Sequence, residues 1–289
     1  MKTLHTFGCS ITQGFALPDV VQSLLDDNGV PLTPEYIEQH DIQINWEDIH
    51  LYQPSKYAWP QILGNQLDMR VQNYARRGAC FQQISRQCAV EAKNIQPNDT
   101  VIVMWPYLSR LSMQWPTRTT VPFCNIVDRN NWQTVMLGFN KFFGLSNSDH
   151  KKTDKHTLAI DAKIQHYIEK STKHTYLDPL GVYNRYYNSM VLQQMTDGFL
   201  RATGAQVIHL SVETDPTWRQ LKSAADQLDP SLWEYTDIPH PDEWYNISVD
   251  HDTCKVIHDP SIPPAENDQH PSVLHHSNFA ETVHRTYFA

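Results

Sequence analysis

Residues 4–14 have the sequence LHTFGCSITQG, and this stretch decides the fold class. Its first four residues lean apolar and end at a glycine, a pattern typical of a short strand that enters a tight turn. Ser10 follows this turn, and a second glycine, Gly14, allows the chain to turn again. Ligands of parallel α/β sheets bind beyond the carboxyl ends of the strands, so Ser10 is predicted to face such a crevice.

Strands and helices alternate along the rest of the chain. Further strands are predicted at residues 71–75, 99–105 and 205–210, and the run at 99–105 is the clearest buried strand. Helices are predicted at residues 20–25, 58–67, 79–92, 158–170, 183–203, 216–228 and 272–288. This alternation indicates a flavodoxin-like three-layer α/β/α sandwich, with a parallel sheet of about five strands covered on both faces.

The 289 residues are predicted to form one domain with two long insertions. The insertions lie near residues 16–55 and 106–153, where prolines recur and periodicity is weak. We expect both to surround the carboxyl ends of the strands and to shape a cleft. Residues 229–269 are predicted to be loop-like.

Charge and composition exclude several function classes. Lys and Arg total 23 against 32 Asp and Glu, a formal charge of −9, and no basic block is present. We therefore expect no nucleic-acid partner and no membrane partner, since no run approaches 18 apolar residues either. The first residues lack the pattern of a secretory signal, which predicts a cytoplasmic protein.

Cysteine usage and metal-ligand spacing argue against a cofactor. The five cysteines are odd in number and scattered without a CxxC pair, which favours reduced thiols. Residues 250–258, DHDTCKVIH, collect His, Cys and carboxylate groups, but their spacing matches no zinc pattern. We predict no metal and no cofactor.

Two polar residues are candidates for nucleophilic catalysis. Ser10 could be a nucleophile at the strand end, or it could simply cap a helix. His270 could accept the serine proton if a partner fixes its orientation. Asp268 would lie on the same side as His270 in an extended segment.

Three segments together resemble the SGNH (GDSL-type) hydrolases. Gly8-Cys9-Ser10 is similar to the family's nucleophile block, which usually has the sequence Gly-Asp-Ser. Residues 73–79, NYARRGA, resemble the second block, which implies that Gly78 donates a backbone N–H to the oxyanion alongside that of Ser10. Residues 268–271, DQHP, resemble the last block, and the order Ser10, Gly78, His270 agrees with the family.

Two positions depart from the family pattern. The third block normally supplies an Asn to the oxyanion hole, but residues 104–110, MWPYLSR, contain none. Tyr107, Ser109 and Arg110 are the candidates to line the substrate cleft there, and one of them could supply the missing donor. The family acid usually stands three residues before the His, where this chain has Asn267, so Asp268 is the favoured orienting acid and Asn267 the alternative.

The resemblance implies a serine ester hydrolase that acts through an acyl-enzyme, with Ser10, His270 and Asp268 as the triad. Its substrate would be a small-molecule or glycan ester, and a carbohydrate O-acetyl ester is favoured. The alternative is a non-catalytic glycan-binding or structural module on the same scaffold, associated with a viral particle. Acyl transfer is a third option, and the sequence leaves the oligomeric state open.

Overall fold

The computed structural model describes the chain in segments: residues 1–22, 54–76, 78–107, 110–114, 132–136, 179–213, 247–265 and 270–289. Seven strands occur in these segments: β1 Thr3–Phe7, β2 Arg70–Asn73, β3 Thr100–Trp105, β4 Arg110–Gln114, β5 Trp132–Met136, β6 Gln206–Ser211 and β7 Val249–Asp250. Six α-helices accompany them: α1 Ser10–Gln13, α2 Pro18–Gln22, α3 Trp59–Gln66, α4 Phe81–Glu91, α5 Pro179–Arg201 and α6 Val273–Tyr287.

A five-stranded parallel sheet forms the centre of the structure. Its strand order is β2-β1-β3-β6-β7, and every neighbouring pair is parallel. All six residues of β3 are buried, because β3 is the middle strand and has helices over both of its faces. The predicted parallel sheet is confirmed.

Helices cover the sheet in two layers. α3 packs against α6 on one face, where the Trp59 and Phe279 rings meet edge to face at 5.3 Å between centroids. α4 packs against α5 on the other face, and Phe81 at the start of α4 stacks on Trp105 of β3 at 5.2 Å. The three-layer α/β/α prediction is therefore confirmed.

Two parts of the structure correct the sequence-based expectations. β7 lies within residues 229–269, which were expected to be loop-like, and its two residues pair with His209 and Leu210 of β6. A strand of two residues has no periodicity to detect, so its formation depends on the neighbouring strand. β4 and β5 form a separate antiparallel pair inside the predicted insertion at 106–153. The alternating sequence RLSMQ of β4 is a period-two signal that this prediction overlooked.

Several predictions lie outside the described residues. These are the helices at 158–170 and 216–228 and most of both insertions. The single-domain organisation stays a prediction. Among the described residues, no helix has the length and apolar character needed to cross a membrane.

Candidate active site

Ser10 occupies the turn at the carboxyl end of β1. Cys9 has an extended backbone and is the N-cap of α1, so Ser10 is the first helical residue rather than the cap. The helix ends after one turn at Gly14, whose φ of 77° is left-handed and suits glycine. Ser10 is 2% exposed, and its hydroxyl is directed to His270 instead of to the helix amides.

His270 reaches Ser10 across 260 residues of sequence. The distance from His270 Nε2 to Ser10 Oγ is 2.9 Å, which is hydrogen-bond contact. The Phe15 ring packs edge to face on the imidazole at 4.9 Å, and the backbone N–H of Ala265 donates to the carbonyl of His270. Neither Phe15 nor Ala265 carries a sequence signal for this role. Phe15 thus packs on the imidazole itself, while Ala265 fixes the backbone that carries it.

The segment that contains Gly78 is tied directly to the Ser10 turn. The backbone N–H of Arg76 donates to the carbonyl of Gly8 at 3.1 Å. Asn73 bridges the two segments, because its amide Nδ2 donates to the Thr12 carbonyl at 2.8 Å while its Oδ1 accepts from the N–H of Ala75 at 3.0 Å. Gly78 itself is half-buried and has a left-handed φ of 69°. The Asn73 bridge depends on tertiary distances that spacing alone does not give.

The indole N–H of Trp105, at the end of β3, is occupied by a hydrogen bond within the protein. Trp105 Nε1 donates to His209 Nδ1 at 3.1 Å, so His209 carries its proton on Nε2 and donates to Asp197 at 3.0 Å. Burial alone would raise the pKa of Asp197, but hydrogen bonds from His209 and Arg201 outweigh it and lower that pKa. The Trp105 side chain, bonded to His209 and stacked on Phe81, therefore serves the packing around β3.

The remaining predicted site residues have different outcomes. Tyr107 lies with its hydroxyl 3.3 Å from His258 Nε2. Ser109 and both candidate partners of His270, Asp268 and Asn267, lie outside the described residues, as does the side chain of Arg110. Their roles stay predictions.

Hydrogen bonds within the protein explain the half-buried carboxylate of Asp250 in the segment at 250–258. The Asp250 carboxylate accepts hydrogen bonds from the backbone N–H groups of Asp252 and Thr253 and from the Tyr287 hydroxyl. Burial would raise the pKa of Asp250, yet these bonds and the Thr253 hydroxyl lower it. Within the described segments, no group of three or more His, Cys, Asp or Glu is arranged for a metal ion.

A second histidine, His276, is fully buried behind the site on α6. Its Nδ1 accepts the backbone N–H of Trp59 at 3.2 Å, which places the proton on Nε2, and Nε2 has no hydrogen-bond partner among the described residues. The pKa of His276 is lowered to about 3. Burial is the largest cause, and the electrostatic effect of the nearby His275 and His270 acts in the same direction. His276 is thus a buried structural group that is neutral near pH 7.

Acid should destabilise the fold through His276. The pKa falls from 6.5 in the unfolded chain to about 3 in the folded one, so the unfolded chain takes up this proton first. The stabilisation is complete above pH 6.5 and is lost towards pH 3, at up to about 1.4 kcal/mol per pH unit. Urea unfolding of His276→Asn across this range should give a flatter slope against pH. Leu274→Asn, exposed on the same helix, should keep the wild-type slope; an equal slope in His276→Asn would contradict the assignment.

Gly8 should tolerate no side chain. A Cβ at this position would lie 2.1 Å from Thr12 Oγ1 and 2.6 Å from Thr12 Cβ, and Thr12 is itself fully buried. We expect Gly8→Ala to lower the free energy of unfolding by about 1–3 kcal/mol, measured in urea. Gly198 in α5 is the matched control, since a Cβ there meets nothing within 4 Å. Gly198→Ala should raise stability by up to about 1 kcal/mol, and equal effects of the two changes would argue against the close packing of Gly8.

The chain is similar in structure to solved proteins of the lipolytic G-D-S-L family. A member from Veillonella parvula DSM 2008 has 13% identity and a TM-score of 0.39, over 99% of this chain and 98% of that one. A putative lipolytic protein of the same family from Desulfitobacterium hafniense DCB-2 has 11% identity and a TM-score of 0.37, over 99% of each chain. An acetyl xylan esterase from the rumen bacterium Butyrivibrio proteoclasticus has 11% identity and a TM-score of 0.37, over 98% of this chain and 62% of that one.

No protein-family model matches the chain, and no curated protein sequence does. Because the identities and TM-scores of the solved structures are low, a function for this chain depends on its own residues.

Proposed function

We propose that this chain is a serine ester hydrolase that acts through an acyl-enzyme. The observation that carries the proposal is the 2.9 Å contact between Ser10 Oγ and His270 Nε2 at the carboxyl end of β1. A serine hydroxyl in hydrogen-bond contact with an imidazole nitrogen is an arrangement that serves nucleophilic catalysis. The order of the motifs in the sequence, with its resemblance to the SGNH hydrolases, supports the same function.

In the proposed reaction, Ser10 Oγ attacks the ester carbonyl carbon while His270 Nε2 accepts the hydroxyl proton. The tetrahedral intermediate collapses, the alkoxide leaves with the proton from His270, and an acyl-serine remains. Water then attacks the acyl-serine with His270 as base, which releases the carboxylic acid and restores the Ser10 hydroxyl. The net reaction converts the ester and one water molecule into a carboxylic acid and an alcohol.

The oxyanion would be held by backbone N–H groups. Ser10 is the first residue of α1, so its N–H has no partner within that helix and can point at the developing charge. Gly78, whose loop is fixed to the Ser10 turn through Arg76 and Asn73, is the proposed second donor. The family's Asn is missing and Trp105 is engaged by His209, so we expect a slower enzyme, by about 10²–10³ if no other donor replaces it.

The proposed substrate is an O-acyl ester of a carbohydrate, with acetyl as the first acyl group to test. A second candidate function, a non-catalytic glycan-binding module, is favoured by one observation, the absence of the third-block Asn. Such a module would keep the fold and lose the activated serine.

Covalent labelling with a fluorophosphonate separates these two functions. An activated serine should react at Ser10, and peptide mass spectrometry should locate the adduct there. Ser10→Ala should abolish labelling, while Ser261→Ala, an exposed surface serine, should label as wild type. A wild-type protein that stays unlabelled, yet is retained on an immobilised glycan, would replace the hydrolase with the binding module.

A further inference from the structure

An open surface pocket lies between the β1–β2 edge of the sheet and α4. Phe7 and Tyr74 are among its lining residues, and their rings stack with centroids 4.9 Å apart. Ile84 of α4 adds a further apolar surface. A partly apolar lining with a few polar side chains is typical of small-ligand sites.

The pocket adjoins both parts of the proposed active site. Gly8, two residues before Ser10, is part of its wall, so the wall lies within about 7 Å of the Ser10 Cα. Ala79, which follows Gly78 directly, is another part of the wall. The loop between them is fixed by the Arg76 N–H on the Gly8 carbonyl and the Ala79 N–H on the Arg76 carbonyl, both at 3.1 Å. A ligand in the pocket would thus lie beside the residues proposed to bind the reacting ester.

The pocket carries positive charge on a chain whose formal charge is −9. Two arginines, Arg76 and Arg86, line it together with the amides of Gln83 and Gln87. The one acidic residue of α4, Glu91, is not among the lining residues and accepts hydrogen bonds from the amide groups of Gln87 and Asn94 at 3.0 and 2.8 Å. Guanidinium groups bind carboxylates through two parallel hydrogen bonds, which gives both affinity and orientation.

We propose that this pocket binds a carboxylate carried by the ester substrate, so that the enzyme selects acidic esters. The inference rests on the proposed hydrolase function and names its substrate class. The arginines would bind the charge of the carboxylate, and the apolar part of the lining would contact the adjoining carbon skeleton of the substrate. Release of the carboxylate-bearing alcohol would follow each acyl transfer to Ser10.

A matched pair of esters tests the selection. 3-Acetoxybenzoate and 3-acetoxybenzamide have the same acyl group and nearly the same shape, and differ in one negative charge. We expect wild-type kcat/KM to favour the acidic ester by about ten-fold or more, since a hydrogen bond to a charged group has this effect. Arg76→Met and Arg86→Met should each remove most of that preference, so that the ratio of kcat/KM for the two esters falls towards one. Arg76 is exposed and its backbone bond survives the change, so this variant should fold.

Arg285→Met, at an exposed position on α6, is the control for loss of positive charge and should keep the wild-type preference. Raising the ionic strength should weaken the preference in wild type and leave the neutral ester unaffected. Equal kcat/KM for the two esters in wild type, or equal losses on both esters in the arginine variants, would overturn the proposal that the pocket binds a carboxylate.

Calorimetry separates failure of the pocket from failure of the hydrolase. Ser10→Ala protein should bind 3-acetoxybenzoate and not 3-acetoxybenzamide, and adding Arg76→Met should remove the binding. If no ester is hydrolysed but this binding is observed, the hydrolase fails and the carboxylate pocket stands. If esters are hydrolysed and the Ser10→Ala protein binds neither compound, the pocket fails and the hydrolase stands.

Discussion

Ser10→Ala should reduce hydrolysis of p-nitrophenyl acetate by about 10⁴–10⁶-fold, the largest effect expected of any single change in this chain. The alanine removes the oxygen proposed to form the acyl-enzyme, which is the oxygen that lies 2.9 Å from His270 Nε2. Ser10 is nearly fully buried at the end of β1, and alanine fits the same space, so the fold should survive. The measurement is kcat/KM from release of p-nitrophenolate, with circular dichroism to verify folding.

Comparing the loss of activity in single and double variants tests the role of Ser10 more sharply. If Ser10 and His270 act as one unit, the double variant Ser10→Ala/His270→Ala should be no slower than Ser10→Ala alone. Ser261→Ala, on the surface, should retain full activity and serves as the control. Residual activity in Ser10→Ala near the wild-type value, or a further large loss in the double variant, would remove Ser10 from the role of nucleophile.

The sheet was largely predictable because its central strands have clear hydrophobic patterns in the sequence. The continuous apolar run ending at Trp105 has no polar alternation, which is the pattern of a strand buried on both faces, and β3 is buried along its whole length. β7 was not predictable, since two residues at Val249–Asp250 carry no pattern and pair only because β6 presents an open edge. The pair β4 and β5 was detectable in principle from the alternation of RLSMQ.

The candidate site was predictable where it depends on order along the chain and not where it depends on tertiary contacts. Motif order placed Ser10 and His270 in one site, and their side chains lie 2.9 Å apart. Distances between separate elements determine three further features of the site. These are the hydrogen bond from the Trp105 indole to His209, the Asn73 bridge and the arginine-lined pocket. No spacing rule gives such distances, because they depend on how helices and strands pack.

The second large effect concerns the partner of His270. Because Nε2 of the imidazole contacts Ser10, the nitrogen that an orienting group must hold is Nδ1. Asp268 is the favoured partner, since only an anion stabilises the imidazolium that forms when Ser10 loses its proton. An amide at Asn267 can orient the ring but supplies no charge. Asp268→Ala should therefore reduce kcat/KM for p-nitrophenyl acetate on the order of 10⁴-fold, the loss seen when a serine triad loses its acid.

Asn267→Ala is the matched control and should reduce kcat/KM only slightly, because it leaves the Asp268 carboxylate in place. The opposite pattern, in which Asn267→Ala loses most activity and Asn267→Asp raises the rate above wild type, would assign the orienting role to residue 267. In that case the imidazolium of the wild-type protein forms beside a neutral amide, and the slow rate expected from the missing oxyanion Asn would have a second cause.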